Sequence, residues 1–364
     1  MKKRMVIKLF SIILVLCTIF IFTACNENDN VDYPTHDTAL TSKVVLFIGD
    51  GMGPNHVYNT ELYSGKDMYF SNFPTKTIVD TNSLSGTTDS SAAATAMATG
   101  QRIINGRVAI NDKKEAIVSI TELAKNDRYG TGVVTSDEIT GATPAGFSAH
   151  AESRDNSASI LLSQESSTLD LLLGAGSYSS VYKDRFANNG WNWVEKYSDL
   201  SLDNKRFVAT FENVGYSNGT DEEPTLTELA SYAIDYMEKN YPTGYFLMIE
   251  GAKIDKASHS NDVSEMINNA LDFSNAIRVV DQKLFGAGDP YTIMVTADHE
   301  TGGIKKAENK EQINDDLYTT TGHTDTKVGL YFKSTLTEVP SIINKESILN
   351  TDIFILTKTL LGIQ

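Results

Sequence analysis

Residues 44–53, VVLFIGDGMG, run from an unbroken apolar segment into a glycine-rich turn that carries Asp50. An apolar run without alternation is typical of a strand buried on both faces of a parallel sheet. The glycines permit a tight turn and a close approach of the backbone to a ligand. A GDGMG sequence alone is weak evidence for a site, so its meaning depends on the rest of the chain.

Three other apolar runs resemble this one, and each leads to polar residues. They are Gly132–Thr135 before Ser136-Asp137, Tyr245–Ile249 before Glu250, and Tyr291–Thr296 before Asp298-His299. Helical patterns lie between them, at Glu115–Lys125, Ser159–Leu173, Thr225–Asn240 and Asp262–Leu284. The alternation predicts an α/β fold, a three-layer sandwich with a mostly parallel central sheet and helices on both faces. Ligands bind at the carboxyl ends of such strands, so the polar residues should meet at one edge.

The N-terminal segment is interpreted as a lipoprotein signal. A basic start precedes the apolar run Leu9–Phe22, and Phe22-Thr23-Ala24-Cys25 is typical of a lipoprotein cleavage box. We predict a signal peptide over 1–24, a lipid on Cys25, a polar tether over 25–41 and a single domain over 42–364. An ordinary cleaved signal with an incidental cysteine is the alternative. The interpretation implies export and lipid anchoring to a bacterial membrane on its extracytoplasmic side.

Composition limits the chemistry of the mature chain. Its two cysteines, Cys17 and Cys25, both belong to the N-terminal segment, so the folded part has no disulfide and no thiolate ligand. Cleavage before Cys25 removes four basic residues and leaves 27 basic against 47 acidic ones, a net charge of −20. Such a surface repels nucleic acid, which we exclude as a partner. An anionic ligand therefore needs local positive charge from metals and a few Lys or Arg side chains.

Residues 88–100, TDSSAAATAMATG, place Ser90 at the start of a run of small residues with helical propensity. A serine at a helix N-terminus faces unpaired N–H groups and the positive end of the helix dipole, which favour an alkoxide or a phosphate oxygen. The competing interpretation is that Ser90 is an N-cap before an Ala-rich helix.

Histidines and carboxylates elsewhere have the spacing of metal ligands. Asp255 and His259 lie four residues apart and share one face of a helix, which suits two ligands of one Zn²⁺, although an i,i+4 helix pair is a strong competitor. Asp298 and His299 can bind one metal only if their strand has ended, which the following glycines permit. His323, in TGHT, offers a third imidazole.

A further set of residues suits a hard cation and a phosphate. The two oxygens of Asp50 can bind different metals, and Glu250 and Thr143 offer oxygens to Mg²⁺. The planar fork of Arg154 suits two phosphate oxygens, although an exposed salt bridge is its commoner role. The other histidines are interpreted as unrelated or structural: His36, His56 and His150. Residues 178–223 are interpreted as an insertion or cap.

Six separated motifs resemble the alkaline phosphatase family. They occur in the family's order and span most of the mature chain: VVLFIGDGMG (44–53), TDSSAAATAMATG (88–100), GATPAGFSAHAESR (141–154), FLMIEGAKIDKASH (246–259), VTADHETGG (295–303) and TGHT (321–324). The resemblance implies a catalytic domain over 42–364 that hydrolyses small phosphate monoesters at alkaline pH with two Zn²⁺ and one Mg²⁺.

The resemblance also implies a role for each matching residue. Ser90 is the nucleophile that becomes phosphoserine, and it also touches the adjacent metal. One Zn²⁺ is held by Asp255, His259 and His323, the second by Asp50, Asp298 and His299, and Mg²⁺ by Asp50, Thr143 and Glu250. Arg154 clamps the phosphate, and Lys256 contacts it through water.

The chain departs from the family pattern at Gly141. The family often has Asp or His two positions before the threonine, where it supports the Mg²⁺ shell. We therefore expect a looser third metal site, which Gly141→Asp should tighten. The resemblance gives no support for a large crown domain after Gly303 and does not decide whether the chain is a homodimer. The alternatives are a phosphodiesterase of the same superfamily and a non-catalytic metal- or phosphate-binding lipoprotein. Arg154 favours a terminal phosphate with free oxygens.

Overall fold

The computed structural model describes residues 41–203, 205–217 and 219–364. Strands and helices alternate along this part of the chain. The strands are β1 (Lys43–Gly49), β2 (Thr75–Asp80), β3 (Gly130–Glu138), β4 (Leu171–Ala175), β5 (Asn192–Val194), β6 (Phe207–Phe211), β7 (Tyr245–Gly251), β8 (Tyr291–Thr296), β9 (Glu300–Thr301), β10 (His323–Thr324), β11 (Val328–Ser334) and β12 (Ser347–Leu349). The helices are α1 (Pro54–Ser64), α2 (Ser90–Thr99), α3 (Ile120–Asn126), α4 (Ala142–Ser148), α5 (Ser157–Glu165), α6 (Ser180–Asn188), α7 (Leu226–Asn240), α8 (Lys253–His259), α9 (Val263–Ala287) and α10 (Thr351–Leu361).

The described strands form one large sheet and one small one. The large sheet has ten strands in the order β12-β2-β11-β8-β1-β7-β3-β4-β6-β5. Its neighbouring strands are parallel except for β11, which runs antiparallel to both β2 and β8. Strands β9 and β10 form a separate antiparallel pair. The predicted, mostly parallel central sheet is therefore confirmed.

Two groups of helices pack around the central strand β1. Helix α9 packs with α1, α7 and α8, whereas α10 packs with α2 and α3, and β1 contacts both α9 and α10. Every residue of β1 is buried, which explains why its sequence is continuously apolar instead of alternating. The α/β architecture predicted from the strand and helix patterns is confirmed.

Helix α2 owes its composition to close packing. All of its residues are buried, and it packs on α4. A Cβ atom added to Gly146 of α4 would lie 2.7 Å from the Cβ of Ala94, closer than real side chains approach. The two helices therefore meet through glycine and alanine, because larger side chains would force them apart.

Two predicted helices differ from the structure. The pattern over Ser159–Leu173 predicts one helix, but α5 ends at Glu165 and Leu171–Ala175 form β4. The apolar end of that pattern is a strand buried between β3 and β6, which a short apolar run alone cannot distinguish from a helix. The helix predicted from Glu115 begins at Ile120 because Ser119 caps it in a capping box with Glu122.

Residues 178–223 are not an insertion or cap. Their described residues include α6 and the strands β5 and β6, which complete one edge of the large sheet. The Asn, Gly and aromatic residues that suggested an insertion lie partly in turns between these short elements. The interpretation of this region as an addition to the fold was wrong.

The folded part already includes Thr41, which the sequence analysis assigned to the tether. Its hydroxyl donates to the carbonyl of Pro290 at 2.7 Å, and its N–H donates to the carbonyl of Leu360 at 2.9 Å. The predicted signal peptide, Cys25 and the rest of the tether lie outside the described residues. Within residues 41–364 as described, none of the helices combines the length and apolar character needed to cross a bilayer.

Candidate metal centre and nucleophile

The central strands bring their polar ends to one edge of the sheet. Ile48 of β1 pairs with Glu250 of β7 on one side and with Thr296 of β8 on the other. Glu250 in turn pairs with Thr135 of β3. Asp50 follows β1 directly, and its N–H donates to the carbonyl of Gly251 at 3.2 Å. The expected meeting of polar residues at the strand ends is what the structure shows.

Ser90 lies within the first turn of α2 and is not the N-cap of that helix. Asp89 is the N-cap, and its Oδ1 accepts the N–H of Ala92 at 2.9 Å. The alternative reading of Ser90 as a cap was therefore wrong, because the preceding carboxylate takes that role. The Oγ of Ser90 is buried and lies 3.2 Å from Nε2 of His299. This position leaves the hydroxyl free to face the strand ends.

Asp89 also connects the start of α2 to Arg154. Its Oδ2 accepts the Oγ–H of Ser91 at 2.9 Å, the N–H of Gly106 at 2.8 Å and an Nη1–H of Arg154 at 3.2 Å. The carboxylate thus orients the guanidinium and the nucleophile helix together. Asp89 was not among the predicted site residues, although an aspartate before a helical run is a recognised capping signal.

An inner cluster joins Asp50, Asp298 and His299. Nε2 of His299 lies 3.2 Å from Oδ2 of Asp298 and 3.5 Å from Oδ1 of Asp50. Among the described residues, neither of these two carboxylate oxygens has a hydrogen-bond partner, and both are buried. The other oxygen of Asp298 is held by the N–H groups of Gly51 and His299 at 3.1 and 3.0 Å. The geometry leaves one oxygen of each carboxylate available for a cation.

The tautomer of His299 also favours a cation at this point. Its Nδ1 lies 3.2 Å from the Oγ1 of Thr301, whose hydroxyl donates to Asp255 at 2.5 Å. Thr301 must therefore accept the Nδ1–H of His299, which leaves the lone pair of Nε2 facing the free carboxylate oxygens. Lone pairs that converge in a buried space are costly unless a positive ion lies between them.

An outer cluster joins Asp255, His259 and His323. The Nε2 atoms of the two histidines are 3.1 Å apart, and they lie 3.3 and 3.7 Å from the nearer oxygens of Asp255. Each histidine directs its Nδ1 at a backbone carbonyl, that of Thr321 for His259 and that of Thr88 for His323. A carbonyl only accepts, so Nδ1 carries a proton in both rings. The two Nε2 atoms face each other and Asp255, whose hydrogen bond raises the pKa of His259 to about 8.

His299 lies within reach of both clusters. Ligand atoms of Asp255, His299 and His323 lie within 4.8 Å of one another, as do those of Asp50, Asp298 and His299. The rings of His299 and His323 stack with centroids 3.5 Å apart. The two candidate metal positions are therefore neighbours, which suits a pair of cations that act on one substrate.

Thr143 and Glu250 provide oxygens beside the inner cluster. In the part of the chain that the structure describes, the Oγ1 of Thr143 is buried and has no hydrogen-bond partner. Glu250 is also buried and accepts a hydrogen bond from the hydroxyl of Thr135. A threonine hydroxyl without a partner beside a buried carboxylate is what a hard cation such as Mg²⁺ requires.

The pKa values of the buried carboxylates show how much negative charge this edge carries. Burial, followed by the charge of Asp137, raises the pKa of Glu250 to about 8. Burial and the charges of Asp298, Asp255 and Glu250 raise the pKa of Asp50 well above its usual range. Divalent cations would supply the compensating charge and keep these groups ionised.

An open cleft of about 690 Å³ adjoins these residues, and three basic side chains contribute to its lining. Arg154, Lys253 and Lys256 line it together with four acidic residues, which are Asp137, Glu138, Asp155 and Glu212. Lys256 makes an ion pair with Asp137. Although burial lowers it, the pKa of Lys256 is raised by the carboxylates of Asp137, Glu250 and Asp50. The structure thus brings two of the predicted phosphate-binding residues, Arg154 and Lys256, to the same cleft.

His56, which the sequence analysis set aside, lies beside the outer cluster. Its Nε2 is 3.0 Å from the Oγ of Ser258, which donates to the carbonyl of Ile254, so the imidazole must donate. Its Nδ1 accepts the N–H of Gly53 at 3.2 Å. The neutral ring therefore connects the turn after Asp50 to the helix that carries Asp255 and His259.

The neutral state of His56 predicts a loss of stability in acid. Burial lowers the pKa of His56 from 6.5 to about 4. As pH falls from 6.5 to 4, the imidazole is protonated in the unfolded chain before it is protonated in the folded one, so the free energy of unfolding decreases. We expect His56→Leu to lower the free energy of unfolding of the metal-free protein at pH 7.5. The difference in this free energy between the natural protein and the variant should narrow by about 3 kcal/mol by pH 4. Urea unfolding of both proteins across that range measures it.

His150 provides a control with the opposite slope. Its ring bonds to the carbonyl of Ala109 and to Glu122, outside the candidate centre. Burial lowers the pKa of His150, but Glu122 and the carbonyl of Ala109 raise it by more than burial lowers it. The pKa of His150 is therefore above its usual value. The effect of His150→Leu should therefore grow as pH falls. Parallel pH dependence of the two variants would contradict the assignment of a neutral His56.

Comparisons with known proteins show the family to which the chain is similar. The family model described as alkaline phosphatase matches residues 41–172 and 183–349. Alkaline phosphatase 4 of Bacillus subtilis (strain 168) is 31% identical over 324 residues, which cover 81% of this chain and 69% of that protein. The solved alkaline phosphatase from the Antarctic bacterium TAB5 has a TM-score of 0.75 and 25% identity, and the match covers 90% of this chain and 100% of that one. A TAB5 variant with aspartate in place of a histidine has Mg bound in its M3 site, with a TM-score of 0.74, 25% identity and the same coverage.

The class of protein that the fold and these relatives define is a phosphomonoesterase enzyme. The chain spans 55 to 69% of the length of the first four curated relatives it matches. Its match to the family model covers most of its length. The chain belongs to the alkaline phosphatase family.

Proposed function

We propose that this chain hydrolyses phosphate monoesters through a phosphoserine at Ser90. The observation that carries the proposal is the position of the Ser90 Oγ, 3.2 Å from Nε2 of His299, where two buried carboxylate oxygens lack a hydrogen-bond partner in the described structure. A nucleophilic hydroxyl beside a cation-binding cluster is the arrangement that phosphoryl transfer requires. Membership of the alkaline phosphatase family supports the same reaction.

The donor atoms fit two Zn²⁺ and one Mg²⁺. Asp255, His259 and His323 would hold one Zn²⁺, Asp50, Asp298 and His299 the other beside Ser90, and Asp50, Thr143 and Glu250 the Mg²⁺. Imidazole and carboxylate suit Zn²⁺, and the all-oxygen set suits Mg²⁺. The TAB5 variant has Mg bound in its M3 site. When bound, these ions supply the positive charge that favours an ionised hydroxyl and neutralises the phosphoryl oxygens.

The chain's own residues position the reacting groups. Arg154, oriented by Asp89, binds two phosphoryl oxygens with its planar guanidinium. The Oγ of Ser90 attacks the phosphorus in line with the departing alcohol oxygen, and the N-terminal end of α2 favours its negative charge. Lys256 adds positive charge at the cleft. Water then attacks the phosphoserine, which releases phosphate and returns Ser90 to its hydroxyl form.

Substrate comparison tests this proposal against its alternatives. We expect the purified, metal-loaded protein to hydrolyse an aryl phosphate monoester with a kcat/KM at least about a hundredfold above that for the matching diester, since Arg154 needs free phosphoryl oxygens. The reaction should be fastest at alkaline pH. A preference for the diester would favour a phosphodiesterase. Absence of turnover with either substrate, while metals bind, would favour a binding protein.

Export with a lipid anchor at Cys25 also remains our proposal, because it depends on residues outside the described part of the chain. Mass spectrometry of the N-terminal peptide of the mature protein would show whether Cys25 is acylated. A homodimer is compatible with the family, and sedimentation of the purified protein would decide it.

A further inference from the structure

The space beside Gly141 is occupied by another carboxylate. A Cβ atom added to Gly141 would lie 2.6 Å from Oδ2 of Asp137, and 3.0 Å from both its Cγ and the carbonyl oxygen of Glu138. Gly141 has φ −55, which any residue adopts, so its backbone does not require glycine. A side chain at position 141 would displace the carboxylate of Asp137, which fills this space from the end of β3.

Asp137 is held in this position from two sides. Its N–H donates to the Oγ1 of Thr135 at 2.8 Å, and the hydroxyl of Thr135 donates to Glu250. Its carboxylate makes the ion pair with Lys256. The register of β3 against β4 shifts between Val134 and Glu138, so Asp137 lies in an irregular part of the strand. Asp137 is thus connected both to the candidate Mg²⁺ oxygens and to the cleft lysine.

The charge of Asp137 acts on the same two groups. It makes the largest charge contribution to the raised pKa of Glu250, after burial. It is also the first of the carboxylates that raise the pKa of Lys256. Thr143, whose buried hydroxyl has no partner within the described residues, lies two positions after the glycine. The electrostatic influence of Asp137 therefore falls on the third metal position and on the phosphate-binding lysine.

We propose that Asp137 is a positioning residue that replaces, from the end of β3, the carboxylate or imidazole that position 141 lacks. It orients Lys256 over the phosphate and adds the negative charge that holds Mg²⁺ near Thr143 and Glu250. This inference rests on the proposed function, because it assumes that the oxygen cluster binds Mg²⁺. It replaces the expectation of a loose third site with one of a site supported by a different residue.

Direct Mg²⁺ binding tests the inference without reference to turnover. Calorimetric titration of Mg²⁺ into zinc-loaded protein should show that Asp137→Asn weakens Mg²⁺ affinity by about tenfold to a hundredfold, the usual effect of removing an outer-shell partner. Glu138→Gln is the matched control, because it removes a neighbouring negative charge that does not pair with Lys256. We expect it to change Mg²⁺ affinity by less than about twofold. Equal affinities in the two variants would overturn the proposal.

A second test places a carboxylate at position 141, and its effect on Mg²⁺ affinity should depend on whether Asp137 is present. In the natural chain, Gly141→Asp should weaken Mg²⁺ binding or leave it unimproved, because the new side chain meets Asp137. In Asp137→Ala protein, the same Gly141→Asp change should restore most of the lost affinity. Equal effects of Gly141→Asp in both backgrounds would contradict the inference, since independent sites add. Thermal unfolding of each metal-free variant checks that the fold is kept.

The same titrations separate this inference from the proposed function. If the natural protein binds Mg²⁺ and hydrolyses monoesters while Asp137→Asn binds Mg²⁺ as tightly, only the role of Asp137 fails. If the natural protein binds no Mg²⁺, the three-metal part of the proposed function fails, and the role of Asp137 fails with it.

Discussion

Replacing Ser90 by alanine is expected to lower kcat for an aryl phosphate at least about a thousandfold while metal content stays unchanged. The hydroxyl is buried at the start of α2 and faces the inner cluster at 3.2 Å from Nε2 of His299. Acid quenching during turnover should trap phosphate on the natural protein. The variant should carry none.

Ser91→Ala is the matched control for this experiment. Ser91 is the next residue of the same helix and is equally buried, but its hydroxyl donates to Asp89 instead of facing the cluster. Loss of that bond should lower activity by less than about tenfold, through Asp89 and Arg154. Equal losses in the two variants would point to damage of the helix and would remove Ser90 as the nucleophile.

Metal removal is the second change with a large expected effect. Chelation should abolish hydrolysis, and Zn²⁺ with Mg²⁺ added together should restore it. The same treatment should lower the Tm, because ions that bind only the folded state add about 2.7 kcal/mol at a hundredfold excess over Kd. The physical reason lies in Asp50 and Asp298, because each has a buried oxygen without a hydrogen-bond partner in the described structure and a bound cation would give it one.

Two histidine variants make the metal experiment specific. His299→Ala removes a ligand of the inner cluster that also lies within reach of the outer cluster, and it should lower the zinc content measured by elemental analysis. His150→Ala removes an equally hydrogen-bonded imidazole outside the clusters and should leave the zinc content unchanged. Full activity of thoroughly metal-free protein would rule out the mechanism proposed for Ser90.

The strand ends of the candidate site were predictable because buried parallel strands have a plain signature. Apolar runs such as that before Asp50 end in polar residues, and ligands collect where such strands end. The i,i+4 spacing of Asp255 and His259 was equally readable, since it depends only on helix geometry. The resemblance then supplied the grouping of these residues into separate metal sites, which spacing alone did not decide.

The partners of these residues were less predictable because distant segments create them. The pairing of Asp137 with Lys256 depends on the space beside Gly141, which no local pattern reports. Likewise, His56 follows a glycine-rich turn and has no visible partner in the sequence, yet it meets Ser258 across two helices. The prediction of one helix across α5 and β4 was wrong for a related reason, because a strand buried on both faces and a core helix have the same apolar composition.

The contact of Gly146 with Ala94 has a consequence for engineering. It brings the helix of Ser90 and the helix of Thr143 together with no spare volume, so the spacing between nucleophile and third metal position cannot be adjusted by small steps. Random mutagenesis should therefore find few tolerated changes in either helix. Variants with altered substrate preference should instead arise around the cleft, at residues such as Glu212, whose side chain is exposed to solvent.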